Sequence, residues 1–214
     1  MKRLIGAEYK KIFFLKSSRR YLVGVVLASP AFGLLLSLTT QATTGRSFQA
    51  LGAYDVLSMN LLGVDLASLM LIAFTALSIY REFTTNLIQV TLCLTPDRKR
   101  VFLAKLFTYF GLSCAIGLIT ASFAYLASQL LLIFHDLPRL SPLEGETLRM
   151  LAGVTAMPIF YTLLTAAAVF LFWSSASAIT YALIVLASQA LAGLFPNGIR
   201  AVVLPSRLKL PFTI

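Results

Sequence analysis

The chain is short of the residues that usually carry catalysis. Its 214 residues include one His, two Cys, one Trp and only eight acids. One imidazole and two separated thiols cannot supply the ligand set of a zinc site. Cys93 falls in a charged segment and Cys114 in an apolar one, so they are not expected to form a disulfide. No H-E-x-x-H, G-x-S-x-G or paired acidic motif occurs, which argues against a hydrolase. There is no G-x-x-x-x-G-K-[ST] loop, so a nucleotide would have to be held by another polypeptide. An acid at the centre of a span costs about 2.5–3.5 kcal/mol. No acid is placed deep in an apolar window, which weakens an ion-coupled carrier.

Apolar surface is what the chain has in abundance. Hydrophobic residues make up 58% of it, charged residues 12%, and its mean hydropathy is +0.86. A water-soluble globule needs a polar exterior that this composition cannot provide. A bilayer core of roughly 30 Å requires about 20 apolar residues per helical crossing, and several such windows are present. The expected fold is all-α and polytopic in a membrane: an N-terminal interfacial helix, about five transmembrane helices, and a short cytoplasmic coupling helix between spans two and three. The first apolar run begins near Tyr21 and exceeds a signal-peptide core, so it reads as a retained span.

The net charge of +10 is gathered beside the apolar runs. Lys2, Arg3, Lys10, Lys11, Lys16, Arg19 and Arg20 precede the first span, and Arg81, Arg98, Lys99, Arg100 and Lys105 follow the second. That distribution puts both regions in the cytoplasm, where they can meet anionic membrane lipids rather than nucleic acid. Residues 1–20 read as an amphipathic helix and elbow, with Ile5, Tyr9, Ile12 and Phe13 on one side and Arg3 and Lys10 opposite. Ser17-Ser18-Arg19-Arg20 is the expected break. Residues 21–195 form the transmembrane domain and 196–214 a C-terminal tail.

Span one is expected over about Tyr21–Thr39, with Pro30 midway as a kink. A polar outer loop follows over Thr40–Leu62, then span two over about Gly63–Tyr80, with Asp65 near its outer end either as an N-terminal helix charge, the favoured role, or lining a polar cavity. Span three covers about Val101–Phe134, where Ser113, Gly117 and Ala121 make a small-residue packing face. His135–Thr147 reads as a second outer loop, Leu148–Phe172 as span four, Trp173–Ser177 as an inner turn and Ala178–Phe195 as span five. Phe74, Thr75, Phe123 and Tyr125 are candidates for a pathway, although aromatics at helical spacing more often serve packing. This count leaves Arg200, Arg207 and Lys209 outside, against the positive-inside rule.

The segment 80–105 is the most informative. Glu82 stands at the end of span two, where a carboxylate opposes the helix dipole and requires a cation. Lys105, Arg98 and Arg81 are the candidates. Thr95-Pro96-Asp97 reads as a helix start, with Thr95 as cap and Pro96 at the first position. A short helix carrying Asp97, Arg98, Lys99 and Arg100 would then merge into span three.

Glu82-Phe83, Asn86-Leu87-Ile88-Gln89, Leu92, Pro96-Asp97-Arg98 and Ala104-Lys105 resemble the coupling element of permease subunits of the type-2 ABC transporter family. The span order over about residues 1–195 is similar as well. The resemblance implies a multi-pass protein of the bacterial cytoplasmic membrane that lacks ATPase activity of its own. It also implies a second permease subunit, identical or different, and separate ATPase subunits holding ATP and Mg, so that this chain binds no cofactor. Its ATPase-coupling residues would be Glu82, Thr95, Pro96, Asp97, Arg98, Lys99, Arg100 and Lys105. The substrate class would be an antimicrobial peptide, drug or lipid-like molecule. Departures are Thr85-Asn86 in place of a Gly-Thr pair, Gln89 in place of an arginine, and Trp173-Ser174-Ser175 where a cation is common. Family members usually have six spans, and this chain ends where the sixth would begin. A different class of function, a membrane scaffold or sensor that recruits a cytoplasmic partner through the basic connector, also fits the charge pattern.

Overall fold

A computed structural model describes residues 2–44, 52–85, 87–88, 93, 97–135 and 137–194. Among these residues the chain is all-helical, in the order α1 (Lys2–Phe14), α2 (Lys16–Thr44), α3 (Ala53–Thr84), α4 (Arg98–Phe134), α5 (Gly145–Phe172) and α6 (Ser175–Leu194). By length and composition, four stretches can cross a bilayer: Lys16–Thr39, Ala53–Thr84, Arg98–Phe134 and Gly145–Phe172. The expected fifth crossing corresponds to α6, whose described apolar stretch, Ser175–Ser188, is shorter. At 1.5 Å per residue, the 32 residues of α3 and 37 of α4 span roughly 48 and 55 Å. Both exceed the thickness of the bilayer core, so each would cross it tilted or project beyond it.

Several boundaries differ from the sequence reading, for physical reasons. The break between α1 and α2 falls at Leu15, and Ser17-Ser18-Arg19-Arg20 are the first turn of α2. Leu15 N donates to Lys11 O and Leu15 O accepts from Arg19 N, so one residue serves both helices. The expected outer loop at 40–62 shrinks because α2 runs to Thr44 and α3 starts at Ala53. Asp55 supplies the α3 start: its Oδ2 accepts from Gly52 N at 3.1 Å. Asp65 therefore lies more than three turns inside α3, exposed on a helix face, and does not cap it. The turn between α5 and α6 takes two residues. Trp173 closes α5 in the left-handed region at φ 55°, donating its N–H to Val169 O at 3.0 Å.

Small residues set the helix spacing. Around the crossing of α2 and α3, a Cβ on Gly33 would collide with the Asn60 carbonyl, and one on Gly63 with the Ser29 carbonyl. Close backbone approach of this kind drives association where lipid removes the hydrophobic contribution between helices. On α4, Ser113, Gly117 and Ala121 are all buried. Gly117 lies against α5, where a Cβ would come within 3.0 Å of Pro158 Cγ and 3.3 Å of Thr155 O. Pro30 and Pro158 both sit inside their helices.

Several hydroxyls within the helices are satisfied at home, whereas the buried hydroxyls of Ser29, Thr75 and Thr162 have no hydrogen-bond partner among the described residues. Ser37, Ser68, Thr108, Thr120, Ser128 and Thr165 each donate to the carbonyl four residues earlier. That arrangement suits surroundings without water. Outward-facing Leu and Phe, such as Leu27, Leu35, Phe107, Leu130 and Leu171, complete an apolar exterior. The sequence-named Phe74 and Thr75 are buried, Phe123 is exposed, and Tyr125 donates to Leu140 O at 2.7 Å, pinning the 137–141 loop.

Replacing Gly63 with Val should lower stability by about 1–3 kcal/mol, since the Ser29 carbonyl must move. Gly24→Ala, where nothing lies within 4 Å, should change little. Thermal unfolding in detergent measures both.

Candidate functional site: a buried ion cluster beneath the charged connector

The charged side chains that come closest together belong to three different helices. Lys105 on α4 donates from Nζ to Glu82 Oε2 on α3 at 2.6 Å and to Glu8 Oε2 on α1 at 2.9 Å. Lys11 donates to Glu8 Oε1 at 3.1 Å and lies 4.0 Å from Glu82 Oε2. The Lys105 side chain is 1% exposed, Glu8 6% and Glu82 13%, whereas Lys11 is 42% exposed. Two ammonium groups and two carboxylates thus form a neutral set, open to solvent mainly through Lys11.

Local structure explains each position. α3 ends at Thr84, which leaves Glu82 in its last turn. Lys105 sits two turns into α4 and points back to the same level, because side chains on a helix lean toward its N-terminus. Of the three cations that could answer Glu82, the structure uses Lys105; the Arg81 and Arg98 side chains are exposed. α1 is held by more than charge. Ile12 is buried, and the Tyr9 hydroxyl occupies the notch left by the missing Cβ of Gly111 on α4. Phe13, which the sequence reading placed on the same face, is half exposed and stacks on Tyr9 at 6.5 Å.

Beside the ions is an aromatic cluster. Phe83 meets Phe170 at 5.5 Å and Trp173 at 5.1 Å, and Phe102 meets Phe170 at 5.0 Å. It joins the ends of α3 and α5 to the start of α4 and supports Trp173 in its left-handed conformation.

The connector's far end is built by Asp97. Its Oδ1 accepts from Lys99 N at 3.1 Å and Arg100 N at 3.4 Å, which makes it the N-cap of α4. The cap is therefore Asp97 rather than Thr95. Arg98, Lys99 and Arg100 are the first turn of α4 itself rather than a separate helix. Thr95 and Pro96 lie outside the described residues. Arg100 pairs with Asp97 at 2.9 Å, while Arg98 and Lys99 are exposed and make no ion pair among the described residues.

Glu8 is the member that sequence reasoning missed. The available signal was its isolation: it is the only acid before Asp55, and it precedes Lys11 by three residues. Burial pushes the Glu8 carboxyl up, but Lys105 and Lys11 together outweigh burial and hold it below its ordinary value. Among the described residues, no group of three or more His, Cys, Asp or Glu could hold a metal ion. The cluster's chemistry is thus electrostatic and mechanical: it fastens α1 across the ends of α3 and α4.

No protein-family model, no curated protein and no solved structure matches this chain.

Lys105→Met leaves Glu8 and Glu82 buried without their shared cation. Such a loss should cost about 3–5 kcal/mol. The triple variant K105M/E8M/E82M should recover most of it, because no unpaired buried charge remains. Thermal unfolding of the purified variants distinguishes the two.

The depressed Glu8 carboxyl also predicts a direction with pH. Its contribution is present above the ordinary carboxylate value of 4.5 and is lost as pH falls through the lower folded-state value. Protection factors in residues 2–14, corrected for the intrinsic pH dependence of amide exchange, should therefore fall below about pH 4.5, and in E8Q they should be low at neutral pH as well. Equal protection at both pH values in the unaltered chain would refute this assignment.

Proposed function

We propose that the chain is the membrane permease subunit of an ATP-driven exporter of the type-2 ABC class. In this reading it forms the translocation pathway with a second permease subunit in the bacterial cytoplasmic membrane, with its N-terminus in the cytoplasm. Separate subunits bind and hydrolyse ATP with Mg. The substrate is an antimicrobial peptide, drug or lipid-like molecule.

The observation that carries the proposal is the Glu82–Lys105 pair at the base of the connector. A force applied to residues between these two positions enters α3 and α4 through the backbone, and the buried, short, charge-assisted contact couples the two helix ends so that they respond together. The same contact includes α1 through Glu8, so three helices receive it together. A topological loop needs no such fastening. Arg98 and Lys99 are exposed at the connector's exit, make no ion pair among the described residues, and suit an acidic groove on a soluble partner. Closure of that partner around nucleotide would then displace the ends of α3 and α4 as a unit.

Asp65 has a place in this reading. An exposed carboxylate inside a membrane-length helix faces either lipid, at high cost, or a polar surface. A pathway between two permease subunits supplies such a surface.

Reversal of the exposed cations and their neighbour, in R98E/K99E/R100E, should weaken co-purification with the cognate ATPase by about tenfold or more. Membrane insertion should be unaffected. In lipid, the unaltered pair should show vanadate-sensitive ATP hydrolysis that a transported compound stimulates. Undiminished co-purification of the reversed variant would defeat the docking surface. Absence of any stimulated hydrolysis would favour a scaffold that only recruits its partner.

A further inference from the structure

The elbow between α1 and α2 carries more charge than the protein uses. Glu8, the one acid on either helix among the described residues, is committed to Lys105 and Lys11. Lys10, Lys16, Arg19 and Arg20 are all exposed and make no ion pair among the described residues. Because Leu15 alone separates the helices, Lys10 near the end of α1 and Lys16, Arg19 and Arg20 at the start of α2 lie within five residues of that break.

Apolar side chains lie at the same break. Phe14 is 81% exposed, and Phe13 and Leu15 are about half exposed. A ring as bare as that of Phe14 is unfavourable in water. Along α2, Arg19, Val23 and Leu27 follow one another at four-residue spacing on a single face. Val23 and Leu27 are 53% and 65% exposed. That face passes from guanidinium to hydrocarbon within a turn, which marks the level where a bilayer's polar region gives way to its core. The cations therefore stand at the depth of lipid phosphates, with Phe14 beside them.

We infer that this elbow is a binding site for anionic phospholipid headgroups. The two arginines offer forked donors suited to phosphate oxygens, and the two lysines add mobile ammonium groups. Phe14 inserts alongside the acyl chains. An acidic soluble protein fits less well, since it would have to cover Phe14, Val23 and Leu27 while the last two face lipid. The site does not depend on the transport reading: it requires only a chain embedded in a membrane.

The test uses the full chain in bilayers, with F14W in a W173F background as the reporter, so that the introduced indole is the only one. Brominated phosphatidylglycerol and brominated phosphatidylcholine, each diluted into phosphatidylcholine, are the quenchers. Preferential quenching by the anionic lipid is expected, corresponding to a selectivity on the order of threefold or more at low salt. Raising the salt should abolish it, and so should K10Q/K16Q/R19Q/R20Q. Inorganic phosphate should not compete at comparable concentration. R98Q/K99Q/R100Q should leave the preference intact, because those cations stand at the connector. Equal quenching by the two lipids at low salt overturns the proposal. So does a preference that survives loss of the four elbow cations. If that fourfold variant does not insert, the salt dependence in the unaltered elbow still decides.

Discussion

A buried ammonium group cannot stand alone. Lys105, 1% exposed, is tolerable only because Glu8 and Glu82 both reach it within hydrogen-bond distance. That requirement governs one whole end of the molecule. It determines where α3 stops relative to α4 and which cation answers Glu82. It also brings in a helix from the start of the chain, since Glu8 of α1 accepts a second hydrogen bond from the buried Lys105 ammonium while Lys11 of the same helix keeps the set neutral. Pairing also gives this end a direction that packing alone would not, because oil-like contacts can slide while three charged groups cannot.

Farther along the helices the constraint is steric. With lipid outside, apolar side chains gain little by facing inward, so closeness must come from small residues and satisfied backbone groups. Gly33 and Gly63 admit the carbonyls of the opposing helix, and Gly117 admits Pro158. Hydroxyls such as those of Thr108, Ser128 and Thr165 bond to their own helix. The molecule is therefore held by charge at one end and by close backbone approach along its length.

How much of this was legible depends on the range of the interaction. Helix type and approximate course could be read from long apolar runs, because a 20-residue hydrophobic window admits little else. The ends could not. α2 and α3 extend through Thr44 and from Ala53, into residues whose polarity resembles a loop, because helices longer than the bilayer continue into water. Asp55 rather than Asp65 begins α3 for that reason. Asp97 was visible as part of a start signal, but which of two neighbouring side chains caps the helix depends on backbone angles. Lys105 was among three candidates for Glu82, and only side-chain direction separates them. Glu8 was invisible as a partner because its contact crosses 97 residues.

Composition and the placement of charge were enough, by themselves, to make this an all-helical chain of membrane-length segments with a basic connector. Those properties follow from local chemistry: residue polarity against a bilayer's thickness, and cations beside apolar runs. Tertiary structure alone decided that the N-terminal helix meets the ends of α3 and α4, that its one acid pairs with Lys105 and Lys11 there, and that Lys10, Lys16, Arg19 and Arg20 make no ion pair among the described residues. Pairing of buried charges is settled by distance in space, and distance in space is what a sequence does not carry.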